Sequence, residues 1–337
     1  MTRCSRGIEA LNDPMDAGSL RGLELSRRLF EQRGLALLDR CGVSGVCSVA
    51  CVGGTSQNAA MDDDVSRDHC WGPYLTFLLA DDAWRRHGDR LKRALQDLPD
   101  RVGRVVWRGY DGPEPRRTNV FEIVRFLSDL TGYREPPVHD IDWLPYLTAQ
   151  GFLGRRWTER LFDASQGAVF HDPGNQFTDS WRRYVRYPPR DIQKALLARV
   201  LFRTWNAGPE YNLARAWQRG DLPGFAQCRS LFVNEVMEMA FCLNKSFVPA
   251  PKWRAVHFER LPDCPATIRK GVSSLAVAPP TEQALIVAND VVQAVKRVVS
   301  NRFSLSKTAD EPLSTCAHAI HQQIDNRTIR QATVLDW

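Results

Sequence analysis

The chain has 337 residues, 43% of them hydrophobic and 25% charged, which is the composition of a globular protein with one large or two ordinary domains. Its 45 basic and 39 acidic side chains give a net charge of +6 spread without blocks of like charge. That balance favours small anionic ligands weakly and does not point to nucleic acid. Nine cysteines form no CxxC pair and their number is odd, so a reduced, cytoplasmic location is expected. The first twenty residues carry acidic side chains and no apolar core, unlike a secretory signal, and no apolar run is long enough to cross a bilayer.

Residues 19–40 place leucines and Phe30 among charges at helical intervals, interrupted by Gly34. VCSVACV (46–52) is small and β-branched and stops at Gly53-Gly54, which predicts a buried strand and a turn. The acidic stretch from Asp62 to Pro73 reads as the extended approach to a second strand, YLTFLLA (74–80). In that extended reading Asp68 and Cys70 project to one face and His69 to the other. A helix over 82–98, a strand over 103–109 and a strand-to-helix passage over 118–132 follow. From about residue 140 the period becomes three to four, punctuated by Pro188-Pro189, PAPKW (249–253) and PPTE (279–282), so the second half reads as mainly helical. The polar tail to Trp337 has no clear period.

The segments GGTSQ (53–57), DDDVSRDHCWGP (62–73), FEIVRFLSDLTG (121–132), DWLPYL (142–147), GAVFHD (167–172), YPPRD (187–191) and FVPAPKW (247–253) together resemble the DUF4037 family of nucleotidyltransferase-like proteins. The resemblance implies an α/β nucleotidyltransferase-like mixed-sheet domain over 15–138. A helical domain over 139–330 would close its cleft. It implies transfer of a nucleotidyl group from a nucleoside triphosphate (NTP) to a small-molecule hydroxyl or amine acceptor. Mapped onto this chain, Gly53, Gly54 and Ser56 would contact the triphosphate, Lys252 would neutralise a phosphate, and Asp68 and Glu122 would hold Mg²⁺.

Two positions depart from the family pattern. It reads Asp-His-Asp-Trp-Gly-Pro where this chain has Cys70 in third place, and it often has Glu where this chain has Gln57. Magnesium prefers oxygen ligands, so a thiol weakens a two-metal site. Cys70 could instead act as a nucleophile, with His69 or a spatially close His171 as base, in a repurposed tailoring enzyme of specialised metabolism that uses no NTP. A third reading is a non-catalytic ligand-binding protein.

Every candidate also has a structural role open to it. Cys70 could pack beside Trp71. Gly53-Gly54 could be a plain turn, and Asp62, Asp63 and Asp64 a solvated loop. Glu122 could pair with Arg125, Lys252 could lie over Trp253, and His171 and Asp172 could cap helices.

Overall fold

The computed structural model describes residues 20–99, 101–109, 118–148, 157–305, 311–333 and 335. The chain divides into two compact units, the first comprising 1–135 and 163–185 and the second 136–162 and 186–337. Both are mixed or helical as the composition suggests: a small mixed sheet with helices in the first, helices in the second. Residues 163–185 return to the first unit, so the helical half does not form one uninterrupted piece.

The first unit begins with α1 (Gly22–Leu29), a π-helical turn over Phe30–Gly34, and α2 (Leu35–Arg40). Gly34 sits in that turn because a Cβ there would lie 2.5 Å from the Phe30 ring. There follow β1 (Cys47–Val52), β2 (Thr76–Leu79), α3 (Asp81–Ala94), β3 (Arg101–Val102), β4 (Val105–Val106), β5 (Asn119–Glu122) and α4 (Ile123–Thr131). The expected strand over 103–109 is instead the hairpin β3–β4. Gly103 adopts φ +55° between them, a left-handed conformation open to glycine, and reverses the chain.

After α5 (Leu144–Thr148) and α6 (Trp157–Ala164), a strand absent from the helical reading appears: β6 (Gly167–His171), followed by α7 (Gln176–Tyr184). The sheet order is β5-β2-β1-β6, with β1 antiparallel to both neighbours and β2 parallel to β5. β6 was illegible because it is short, half-buried and set between helices, while its pairing partner lies over a hundred residues earlier. Every residue of β1 is buried, and Val49, Phe77, Leu79 and Val120 pack with Leu25, Leu29, Leu38 and Leu91 in one core.

The second unit contains α8 (Arg190–Ala207), α9 (Asn212–Gln218), α10 (Leu222–Leu243), α11 (Pro251–Glu259), α12 (Ala266–Val277), α13 (Glu282–Phe303), α14 (Leu313–Gln322) and α15 (Arg327–Ala332). The tail without clear period is thus helical over α14 and α15. Leu201, Phe232, Val236, Met239, Ile268, Val291, Val295 and Ile320 form its core. No helix among the described residues is long and apolar enough to cross a membrane.

Asp172 fastens the last segment of the first unit to its sheet. It accepts hydrogen bonds from the Ser48 hydroxyl at 2.6 Å and from the amides of Phe177 and Thr178 at 3.1 and 2.8 Å, at the start of α7. Partial burial alone would raise this carboxyl, but the three donors outweigh it and hold Asp172 below its ordinary value of 3.8. A depressed folded value stabilises above the unfolded value and loses that contribution as pH falls through the folded one. Asp172→Ala is expected to cost roughly 1–2 kcal/mol at neutral pH. The deficit, read from urea unfolding at a series of pH values, should shrink below about pH 4.

Candidate functional site

Beyond β1 the chain turns sharply. Gly53 has φ +113°, and its amide donates to the Gln166 carbonyl at 3.1 Å. A side chain at Gly54 would meet the Asp163 carboxylate at 2.6 Å. The two glycines therefore serve different needs, one for backbone rotation and one for close approach. Thr55, Ser56, Gln57 and Asn58 are all buried. The Ser56 hydroxyl donates to the Ser66 carbonyl at 3.3 Å, and Asn58 Nδ2 donates to the Gly53 carbonyl at 2.9 Å and to Tyr74 Oη at 2.8 Å.

Asp62, expected in a solvated loop, is 1% exposed. Its Oδ2 accepts from the Gly22 amide at 2.7 Å and from Trp71 Nε1 at 3.2 Å, while Oδ1 faces Arg21 Nη1 at 3.0 Å. Gln57 Oε1 accepts from the Gly72 amide at 3.0 Å. Sequence reasoning missed both roles. The segment 68–72 is thus anchored at its end by Asp62 and Gln57, and by a bridge from Trp71 to Arg108.

That segment is not extended. Residues 64–67 form a 3₁₀ turn capped by Asp63, whose carboxylate accepts from the Ser66 amide at 3.0 Å. Asp68 is helical in conformation and Cys70 is left-handed, with φ +49°. The alternating projection expected of Asp68, His69 and Cys70 is therefore wrong, because a turn rather than a strand leads into β2. Asp68 and His69 instead meet: Oδ1 of Asp68 accepts from the His69 amide and lies 2.9 Å from its Nδ1. The bond from His69 holds the Asp68 carboxyl below its ordinary value. Both side chains are well exposed, and Cys70 is half-buried.

Glu122 caps α4, its two oxygens accepting from the amides of Val124 at 2.8 Å and Arg125 at 2.6 Å. It meets Arg125 through the backbone, not the guanidinium. Lys252, in the second unit, lies 4.6 Å from the centre of the Trp253 ring. His171 Nε2 is 2.8 Å from the Ser44 carbonyl. Among the described residues no three His, Cys, Asp or Glu side chains are grouped to hold a metal ion. Asp68 turned to His69, Glu122 spent on a helix end and a thiol at position 70 do not fit a two-metal centre as they stand.

Residues 156–254 match the family model of DUF4037, a domain of unknown function. That match covers under a third of the chain. No curated protein and no solved structure matches the chain. The DUF4037 match contains GAVFHD, YPPRD and FVPAPKW, while the glycine turn and the Asp68–Cys70 segment precede it.

Within the DUF4037 stretch the densest polar feature is a buried charge network in the second unit. Arg254, 4% exposed, donates through Nη2 to Glu159 at 2.8 Å and through Nη1 to Glu238 at 3.2 Å. Arg203 donates to Glu235 and to the other oxygen of Glu238, each at 2.9 Å. The legible signal was Glu235 and Glu238, three residues apart inside an apolar run of α10. Removing one partner strands buried charge, so Arg254→Ala is expected to lower unfolding stability by roughly 3–5 kcal/mol, measurable by urea denaturation.

Proposed function

We propose that the chain is a nucleotidyltransferase-type protein that binds a nucleoside triphosphate at the loop following β1 and is suited to nucleotidyl transfer to a small-molecule acceptor. The observation that carries this reading is the succession of helix, buried strand, paired-glycine turn, exposed carboxylate and antiparallel second strand (α1–α2, β1, Gly53-Gly54, Asp68, β2). It is the succession that the family resemblance implies. The DUF4037 match adds support from a separate part of the chain. Exposed Asp68, held among the described residues only by contacts to its own neighbour His69, supports its availability to a ligand.

A second reading, ligand binding without turnover, is favoured by a specific observation. Both oxygens of Glu122 are committed to the start of α4, and position 70 offers sulfur. No step is assigned to a metal on this arrangement. The cysteine-dependent reading has less support: the His69 ring is turned to Asp68, and the expected alternative base, His171, is turned to Ser44.

Calorimetric titration with ATP, GTP, CTP and UTP, with and without Mg²⁺, tests the reading on wild type and Asp68→Ala. Saturable, Mg²⁺-dependent binding that weakens about tenfold or more in Asp68→Ala is expected, because a carboxylate favours an anionic ligand only through a shared cation. Cys70→Asp separates the two readings: Mg²⁺-dependent turnover that rises in this variant supports transfer, and binding without turnover in either protein supports the ligand-binding reading. No binding of any triphosphate defeats both.

A further inference from the structure

In the second unit the first turn of α8 meets the carboxyl ends of α10, α13 and α14 around a cavity of about 460 Å³. That volume falls within the roughly 300–1,000 Å³ typical of small-molecule pockets. Its lining includes four cations, Arg190, Lys194, Lys245 and Arg302, and no carboxylate. Lys194 is 3% exposed and already neutralised, its Nζ donating to Asp191 at 3.1 Å, to Asp325 at 3.2 Å and to the Gln323 carbonyl. The other three differ. Among the described residues, no side chain pairs with or hydrogen-bonds to Arg190, Lys245 or Arg302.

All three are exposed, and three such cations on one concave wall with no carboxylate in its lining concentrate positive potential that attracts a counter-charge from outside. The start of α8 places the positive end of an 18-residue helix at the same place, set against the negative carboxyl ends of α10, α13 and α14.

Lys245 gives independent support. It occupies φ +51° just past the end of α10, where its amide donates to the Cys242 carbonyl and the next amide, of Ser246, to the Phe241 carbonyl. This is the position at which helices prefer glycine. A lysine there accepts a backbone cost that glycine avoids, and its side chain lines the cavity.

We infer that this cavity is a binding site for a compact phosphate-bearing anion carrying two or more negative charges, gripped by Arg190, Lys245 and Arg302. The two arginines suit planar, paired hydrogen bonding to phosphate oxygens, and Lys245 supplies a point charge. All of these residues belong to the second unit, so the inference does not rest on the triphosphate loop after β1.

The test is titration of the full chain with inorganic pyrophosphate in EDTA, which removes any contribution of divalent metal, read by calorimetry and by the shift of the thermal midpoint. Wild type is expected to bind one pyrophosphate with an affinity that falls as salt rises and to gain thermal stability on binding. Lys245→Gly and Arg302→Gln should each weaken binding about tenfold or more, as loss of one charge-assisted contact predicts. Asp68→Ala should leave it unchanged. Without anion, Lys245→Gly should melt no lower than wild type, because glycine suits that backbone position. A parallel titration with ADP distinguishes the source: tighter binding than pyrophosphate marks an organic phosphate, and equal binding marks the free anion. The inference is overturned by absence of pyrophosphate binding, by binding that survives both substitutions, or by variants that melt lower with unaltered anion affinity. The last outcome would mean that the cations serve only the helix ends.

Discussion

The constraint on which the first unit depends is the enclosure of β1. This strand is buried along its whole length and paired on both edges, so its polar backbone groups must find partners within the sheet. When it ends at Val52 the chain is still deep in the fold. The next ten residues remain largely buried and must satisfy their own polar groups. Gln57, Asn58 and Asp62 do so, and each reaches across to another segment: Gly72, Tyr74 and Gly22. The geometry of the exposed Asp68–Cys70 turn is thus inherited from a polar loop whose own burial follows from the strand before it.

The second unit solves the same problem with charge. Arg254 and Arg203 hold three carboxylates among the helices in a chain of alternating sign, Glu159, Arg254, Glu238, Arg203, Glu235. Such a network adds little net stability over apolar packing of the same shape, but it punishes any arrangement that breaks it. It thereby fixes how α6, α8, α10 and α11 pair. Lys194 repeats the device on a smaller scale between Asp191 and Asp325, at the junction of α8 with the loop after α14.

What the sequence revealed follows from which signals are local. VCSVACV before two glycines and the TEQALIVAND helix show their period within a single window, and both elements stand where that period puts them. Glu122 sits at a strand-to-helix junction that was also legible, yet its role as a cap depends on two backbone amides rather than on the Arg125 guanidinium. β6 was hidden because its strand character comes from the vacant edge of β1, not from its own five residues. The extended reading of 62–73 failed because the partners that bend that segment are buried groups elsewhere, Gln57 behind Gly72 and Asp62 behind Trp71, which no local pattern encodes. Asp62 looked like its acidic neighbours in sequence, and only its burial separates it from them.

The distribution of charge sets the terms on which an anionic ligand could use either unit. At the glycine turn the nearest ionisable side chain is a carboxylate, Asp163, and the exposed turn beyond presents another, Asp68. Arg21 pairs with Asp62. A triphosphate brought to such a loop would meet negative charge, so its binding there would depend on a cation to offset the carboxylates. The basic cavity of the second unit imposes no such condition, because its unpaired side chains already carry the complementary sign. Dependence on a divalent cation is therefore the property by which anion binding at the two places would differ, and it follows from the sign of the charge each place presents, irrespective of what the ligand is.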